Sequence, residues 1–194
     1  VKFAVETGIA PRDHVLETLA GPVAGKYISG RQVRVALTEP SGFRVRVDVP
    51  LPGGRAPVRG SFINTGVPHF VTFTGRLSAV DVLTLGHQIR THSLFKPKGT
   101  NVNFVEILRR GPRAAIRVRT YERGVESETL ACGTGATASA IVAALTRDLR
   151  PPVSVATTGS AVLIIRFRIA GPGQVTDVTM QGPVEKVFET RMSL

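Results

Sequence analysis

The chain has 194 residues, with 25 Lys and Arg against 14 Asp and Glu, for a formal net charge of +11. Its 42% hydrophobic content supports a packed core and excludes wholesale disorder, and the length suits one domain or one domain with part of another. No apolar run approaches the roughly 20 residues that span a bilayer, no charged-then-apolar leader is legible at the start, and a single cysteine excludes an internal disulfide framework and suits a reducing cytoplasm.

The charge raises nucleic-acid binding as an option. The cations are nevertheless spread through alternating segments such as Phe43-Arg-Val-Arg-Val47 and Ile164-Ile-Arg-Phe-Arg168, a pattern of solvent faces on half-buried strands. Two Tyr and no Trp leave little for base stacking, so no nucleic-acid partner is expected.

In chain order, Val1–Thr7 reads as the end of a helix stopped by Gly8. A strand over His14–Gly21 follows, then a hairpin of Val23–Ile28 and Val33–Leu37 around Ser29-Gly30. The Pro- and Gly-rich stretch Pro40–Pro57 is the candidate domain boundary. Phe43–Val49, Gly60–Asn64 and His69–Thr74 are further strands. Ser78–Phe95 reads as one helix, with Ser78 and Asp81 as a capping box and Val82, Leu85 and Ile89 on one face. Val102–Leu108 and Ala114–Tyr121 form a hairpin around Arg109–Arg113. A second helix runs to about Leu149 and is stopped by Pro151-Pro152. Val153–Ala156 and Ala161–Ile169 pair around Gly159-Ser160, and Val175–Gln181 and Val184–Thr190 close the chain as strands. Many strands with two clear helices predict an α+β fold.

The lone cysteine, Cys132, lies in the run Glu128-Thr-Leu-Ala-Cys-Gly-Thr-Gly-Ala-Thr-Ala138 and opens the second helix. There the first backbone N–H groups have no intrahelical partner and favour an anion, and with it a thiolate near neutral pH. A buried structural cysteine fits the same local pattern, so both readings stand at this point.

Four ordered segments, Asn64-Thr-Gly-Val-Pro-His-Phe70, Gly99-Thr-Asn-Val-Asn-Phe-Val-Glu106, Tyr121-Glu-Arg-Gly-Val125 and Glu128–Gly135, together resemble the diaminopimelate epimerase family. The stretch Val80-Asp-Val-Leu83, with Gly86 and Ile89-Arg-Thr-His92, is consistent with this. The resemblance implies a strand-rich barrel around a central helix, paired with a pseudo-symmetric second domain. It places residues 45–180 in a complete C-terminal domain, 1–44 in a remnant of the N-terminal domain, and 181–194 in a strand returning to it. It further implies interconversion of LL- and meso-diaminopimelate with no cofactor and no metal, by two cysteines acting on opposite faces of the α-carbon.

By the same resemblance Cys132 is one of the two acid/base cysteines. Gly133 and Thr134 offer N–H groups, and the Thr134 hydroxyl, to the α-carboxylate. Glu122 receives the α-ammonium, Arg123 pairs with the distal carboxylate, Asn101 contacts the distal end, and His69 sits near the cysteines. The implied partner is this small amino-acid substrate, with no membrane partner and with a homodimer allowed. Val67 stands where many members have an Asn before Pro-His, so that contact is not carried over, and Asn64 is out of register for it.

The family's first cysteine is missing from the sequence. Lys2–Glu6 reads as the tail of the helix it would lead, so a truncated, poorly active form is expected. A shorter homologue with another activity, a same-fold racemase or hydroxyproline-type isomerase, and a non-catalytic basic binding module are the alternatives.

Overall fold

The structure, a computed structural model, describes residues 1–19 and 21–190. Helix α1 (Lys2–Glu6) precedes strands β1 (Asp13–Thr18), β2 (Gly21–Ser29), β3 (Gln32–Ala36), β4 (Ser41–Val49), β5 (Val58–Asn64) and β6 (Pro68–Phe73). Helix α2 (Val82–Arg90) leads to β7 (Asn101–Arg109), β8 (Ala115–Glu122) and β9 (Ser127–Thr129). Helix α3 (Gly133–Arg147) then precedes β10 (Val153–Ala156), β11 (Val162–Gly171) and β12 (Gln174–Pro183).

The strands join in one mixed sheet of order β1-β2-β3-β12-β11-β10-β8-β7-β6-β5-β4, with β9 added to β8. Two neighbours are parallel, β6 with β7 and β10 with β8. A parallel pair needs a crossover long enough to return the chain, and α2 and α3 lie in those two crossovers. β4 ends the order far from β3, yet only residues 37–40 connect them. The sheet must therefore curl. Phe43 of β4 lies against the β11–β12 turn, where a Cβ on Gly173 would sit 2.9 Å from its ring.

The curled part wraps α3, which touches β5, β6, β7, β8, β10, β11 and β12. Every residue from Gly135 to Ala144 is buried, as expected of a helix surrounded by sheet. Its small side chains let seven strands approach closely. Alternation on the strands then splits the core in two. Val71, Val105, Ile116 and Val118 face α3 with Ile141 and Val142. Phe70, Val102, Phe104 and Tyr121 face α2 with Val82 and Ile89. Gly86 lets α2 settle on the sheet, since a Cβ there would lie 2.5 Å from Tyr121 Cβ. β1–β3 and α1 join the rest of the sheet through the β3–β12 ladder. Residue 45, where the resemblance sets a domain boundary, falls inside β4.

Most expected strands occur within a few residues, and three regions differ. Ser78–Phe95 is not one helix. A 3-10 turn at Leu77–Ala79, α2 and a second 3-10 turn at Ser93–Phe95 share the segment. Val80 is extended, so Asp81, not Ser78, caps α2, its side chain accepting the Thr84 N–H at 3.0 Å. Val184–Thr190 forms no strand: among the described residues its backbone bond is from Val184 N–H to Arg31 C=O, beside the end of β3, and Val187 and Phe188 are exposed. β9 is a strand that the alternation did not signal, because three residues are too few for a period. Ala20 of the expected Ala-Gly-Pro turn, and 191–194 of the C-terminal segment, lie outside the described residues.

Candidate active site

Cys132 is the N-cap of α3. Its backbone is extended (φ −127°, ψ 107°), and its Sγ accepts the Gly135 N–H at 3.3 Å. This is the bond a Ser or Asp cap would make, here to sulfur. The Thr134 hydroxyl lies 3.5 Å from Sγ, and the Thr134 carbonyl accepts the Thr65 hydroxyl at 3.1 Å, which ties the first turn of α3 to the β5–β6 loop. Gly133 lies at Met180 of β12, where a Cβ would come within 3.1 Å of the thioether. Gly135 is more restricted still. A Cβ there would lie 2.4 Å from Asn103 Oδ1 and 3.1 Å from Sγ.

Sequence reasoning at a helix start favours a thiolate. In the fold, burial dominates and pushes the Cys132 thiol above its ordinary value of 9.0, and the negative charge of Glu122 adds to this. The hydrogen bonds from Thr134 and Gly135 pull the other way without overcoming it. At neutral pH the resting group is a thiol.

Glu122 and Arg123 stand at the end of β8. Glu122 accepts the Thr129 hydroxyl at 2.9 Å, a bond that crosses to β9 just before the cysteine. The Arg123 N–H donates to Asn101 Oδ1 at 2.7 Å, and its guanidinium donates to the Lys98 carbonyl at 3.1 Å. Asn101 also donates through Nδ2 to the Pro68 carbonyl at 3.2 Å, so its carboxamide bridges β6 to the end of β8. Each end of that carboxamide retains one further hydrogen-bonding position.

His69 is fully buried on the α3 side of β6, and burial, with the Arg123 charge, holds its pKa down at about 3. Its partner is Asn103, a residue that sequence reasoning did not single out, which also bonds the Phe70 carbonyl and the Thr120 hydroxyl. The signal was its alternation with Asn101: an asparagine one period on in an otherwise apolar strand must be satisfied inside. A second unforeseen element is the Arg119–Glu128 pair, two-pronged at 2.8 and 2.6 Å, which anchors β9 to β8 ahead of Cys132.

The fold thus gathers Cys132, Gly133, Thr134, Glu122, Thr129, Asn103 and His69 around the N-terminal end of α3. Arg123 lies on the edge of this group, and its far side lines a cavity of about 360 Å³ with Arg44, Lys96, Lys98, Val67 and Pro68. Those cations give the cavity a positive wall. The crevice at Cys132 itself, between Thr129, Leu130, Ala136 and Thr157, is too narrow for a water-sized group. Among the described residues no helix is long and apolar enough to cross a membrane, and no group of His, Cys, Asp and Glu is placed to hold a metal ion.

The profile of the family described as diaminopimelate epimerase matches residues 61–187. A diaminopimelate epimerase of Aquifex aeolicus is 48% identical over 100% of this chain and 66% of its own length. One from Hydrogenobaculum is 40% identical over 99% of this chain and 66% of its own length. The chain therefore spans slightly less than two thirds of these relatives. Among solved structures, a probable proline racemase from Agrobacterium radiobacter K84 superposes with a TM-score of 0.66 at 16% identity, covering 93% of this chain and 61% of its own. A hydroxyproline epimerase from Agrobacterium vitis does so with a TM-score of 0.65 at 16% identity, covering the same shares. At that identity the two structures speak for the fold, whereas the profile match and the sequence relatives together place this chain in the diaminopimelate epimerase family.

Proposed function

We propose that Cys132 is one acid/base of a cofactor-independent epimerase that interconverts LL- and meso-diaminopimelate, a step of lysine and cell-wall precursor synthesis. The observation that carries this reading is the thiol capping α3 beside Glu122. A thiol and backbone N–H donors at one helix start support the reading, because α-proton chemistry requires a proton-transferring group beside donors for the developing charge.

In the forward direction a thiolate takes the α-proton. The S–H bond forms as the Cα–H bond breaks, and the electron pair spreads into the α-carboxylate. Gly133, Thr134 and the Thr134 hydroxyl receive that developing charge, and burial strengthens the interaction. A thiol on the opposite face then delivers its proton to carbon and becomes the thiolate. The raised pKa of Cys132 suits the proton-donating half of this cycle. Glu122 takes the α-ammonium, Arg123 and the cationic cavity beside it take the distal carboxylate, and Asn101 orients that end.

The opposing thiol is not among the 194 residues, which hold one cysteine. We assign residues 45–180 to one domain and 1–44, with the segment from 181, to its pseudo-symmetric partner, the site lying in the cleft between them. The separate attachment of β1–β3 through β12 supports that division. A cytoplasmic location and a homodimer go with this reading.

The test is exchange of the α-proton of each diaminopimelate stereoisomer in deuterated water, followed by NMR. One thiol can remove and return the proton on one face, so exchange with retention is expected, abolished by Cys132→Ser. No exchange with either isomer would sink the proposal. Little or no inversion is expected from these 194 residues alone, and robust inversion would overturn the two-thiol scheme. Preference for a monocarboxylic amino acid in a substrate panel would favour another racemase of the same fold.

A further inference from the structure

The carboxamide of Asn103 is completely buried, and its neighbours settle its orientation. Nδ2 lies 3.2 Å from the Phe70 carbonyl oxygen, which can only accept. Oδ1 lies 3.0 Å from Thr120 Oγ1, whose hydroxyl donates to it. The reverse orientation would set two acceptors against each other at Phe70. The remaining Nδ2 hydrogen therefore points to His69 Nδ1 at 3.0 Å. A ring nitrogen that faces a donor must be the unprotonated acceptor, so the neutral imidazole carries its proton on Nε2.

That Nε2 is buried and has no hydrogen-bond partner among the described residues. A buried N–H without a partner is costly, and such groups call for a functional explanation. Asn103, which holds the ring, also lies against Gly135 in the first turn of α3, and Gly135 donates to Cys132 Sγ. An uncharged donor held there can meet an anion without needing a proton of its own to transfer. Burial keeps the ring uncharged at neutral pH.

We propose that Asn103 is a positioning residue that locks His69 as its Nε2–H tautomer, making His69 a fixed, neutral hydrogen-bond donor to a carboxylate oxygen of the bound amino acid and not a proton-transferring base. The tautomer assignment stands on the hydrogen bonds alone; the carboxylate acceptor rests on the epimerase reading.

The experiment is nitrogen–proton NMR of the imidazole groups at pH 7, with the His69 signals assigned by their loss in His69→Gln. Expected in the unaltered protein is a proton on Nε2 and none on Nδ1. Asn103→Leu removes the donor and is expected to populate the Nδ1–H form alongside. Asn103→Asp presents only acceptors and is expected to draw a proton onto Nδ1. A proton on Nδ1 of the unaltered protein overturns the proposal without any need for a variant to fold, as does an unchanged tautomer in a folded Asn103→Asp. On adding meso-diaminopimelate, the Nε2–H signal is expected to move. Binding that leaves it in place overturns the donor role while sparing the epimerase reading. Absence of binding counts against the epimerase reading and the carboxylate acceptor together, and leaves the tautomer result intact.

Discussion

The Gly135 N–H donates to the Cys132 thiol at 3.3 Å, while the Gly135 Cα lies so close to Asn103 that a Cβ would come within 2.4 Å of its Oδ1. One residue thus both caps the sulfur and seals the helix start against the His69–Asn103 network. Gly135→Ala would force that contact apart. Overpacking of this kind costs about 1–3 kcal/mol. Chemical denaturation should show the loss, and a stability within error of the parent would show that the helix can shift freely.

The reactivity of Cys132 should report its surroundings. Burial raises the thiol pKa, so alkylation at neutral pH should be slow and should accelerate only above the pH expected of a free cysteine. The Thr134 hydrogen bond lowers that pKa, so Thr134→Val should move the alkylation profile further up. The Glu122 charge raises it, so Glu122→Gln should move the profile down. Shifts in the opposite directions would contradict the placement of these two groups.

His69 should make the fold acid-sensitive. Its pKa is about 3 in the fold, against an ordinary 6.5. Below 6.5 the unfolded chain binds a proton that the folded chain refuses, so stability falls as pH drops through that window. By linkage this amounts to about 2 kcal/mol between pH 6.5 and 5. Urea midpoints across that range should fall in the parent protein and flatten in His69→Gln. Parallel slopes would mean that His69 is protonated in the fold.

Arg119 donates to both oxygens of Glu128, at 2.8 and 2.6 Å, and to the Val80 carbonyl at 2.9 Å. The pair is partly buried, with 26% and 18% of the two side chains exposed. Glu128→Gln keeps the shape but loses the charge, and should destabilise by about 1–2 kcal/mol. Arg119→Met should cost more, roughly 3 kcal/mol, because it leaves a partly buried carboxylate without its cation and with only the Thr158 hydroxyl, at 3.0 Å, still bonded to it. Thermal unfolding of both variants would check the order, and equal stabilities would place the pair among surface contacts of no consequence.

Asn101 bridges the Pro68 carbonyl and the Arg123 N–H. Asn101→Ala should therefore loosen the β8 end that carries Glu122 and Arg123. Under the epimerase reading, affinity for diaminopimelate should fall by about tenfold, the equivalent of about 1.4 kcal/mol. Calorimetric titration would show it, and unchanged affinity would confine Asn101 to a structural role.

Local chemistry explains how much could be read from residues alone. Alternation of side-chain type marked β3, β7 and β8, because successive residues of a strand point to opposite faces, as Val102 and Phe104 of β7 face α2 while Asn103 and Val105 face α3. The run of small residues after Cys132 marked α3, whose surroundings admit nothing larger. The motif residues at 69, 101, 122–123 and 132–134 were legible as an ordered set. What stayed illegible depended on partners distant in sequence. Val80 breaks the expected long helix because its neighbours hold it extended, and Val184–Thr190 has strand-like residues but no ladder to join. Asn103 found its meaning only when β6 and β8 flanked it, and Arg119 only when β9 folded back on β8. The state of Cys132 was decided in the same way. The sequence by itself determined that the thiol opens a helix, since capping is a matter of neighbours along the chain. Tertiary structure decided that burial and Glu122 outweigh the helix start and keep it protonated, since desolvation depends on what the rest of the fold places around the sulfur.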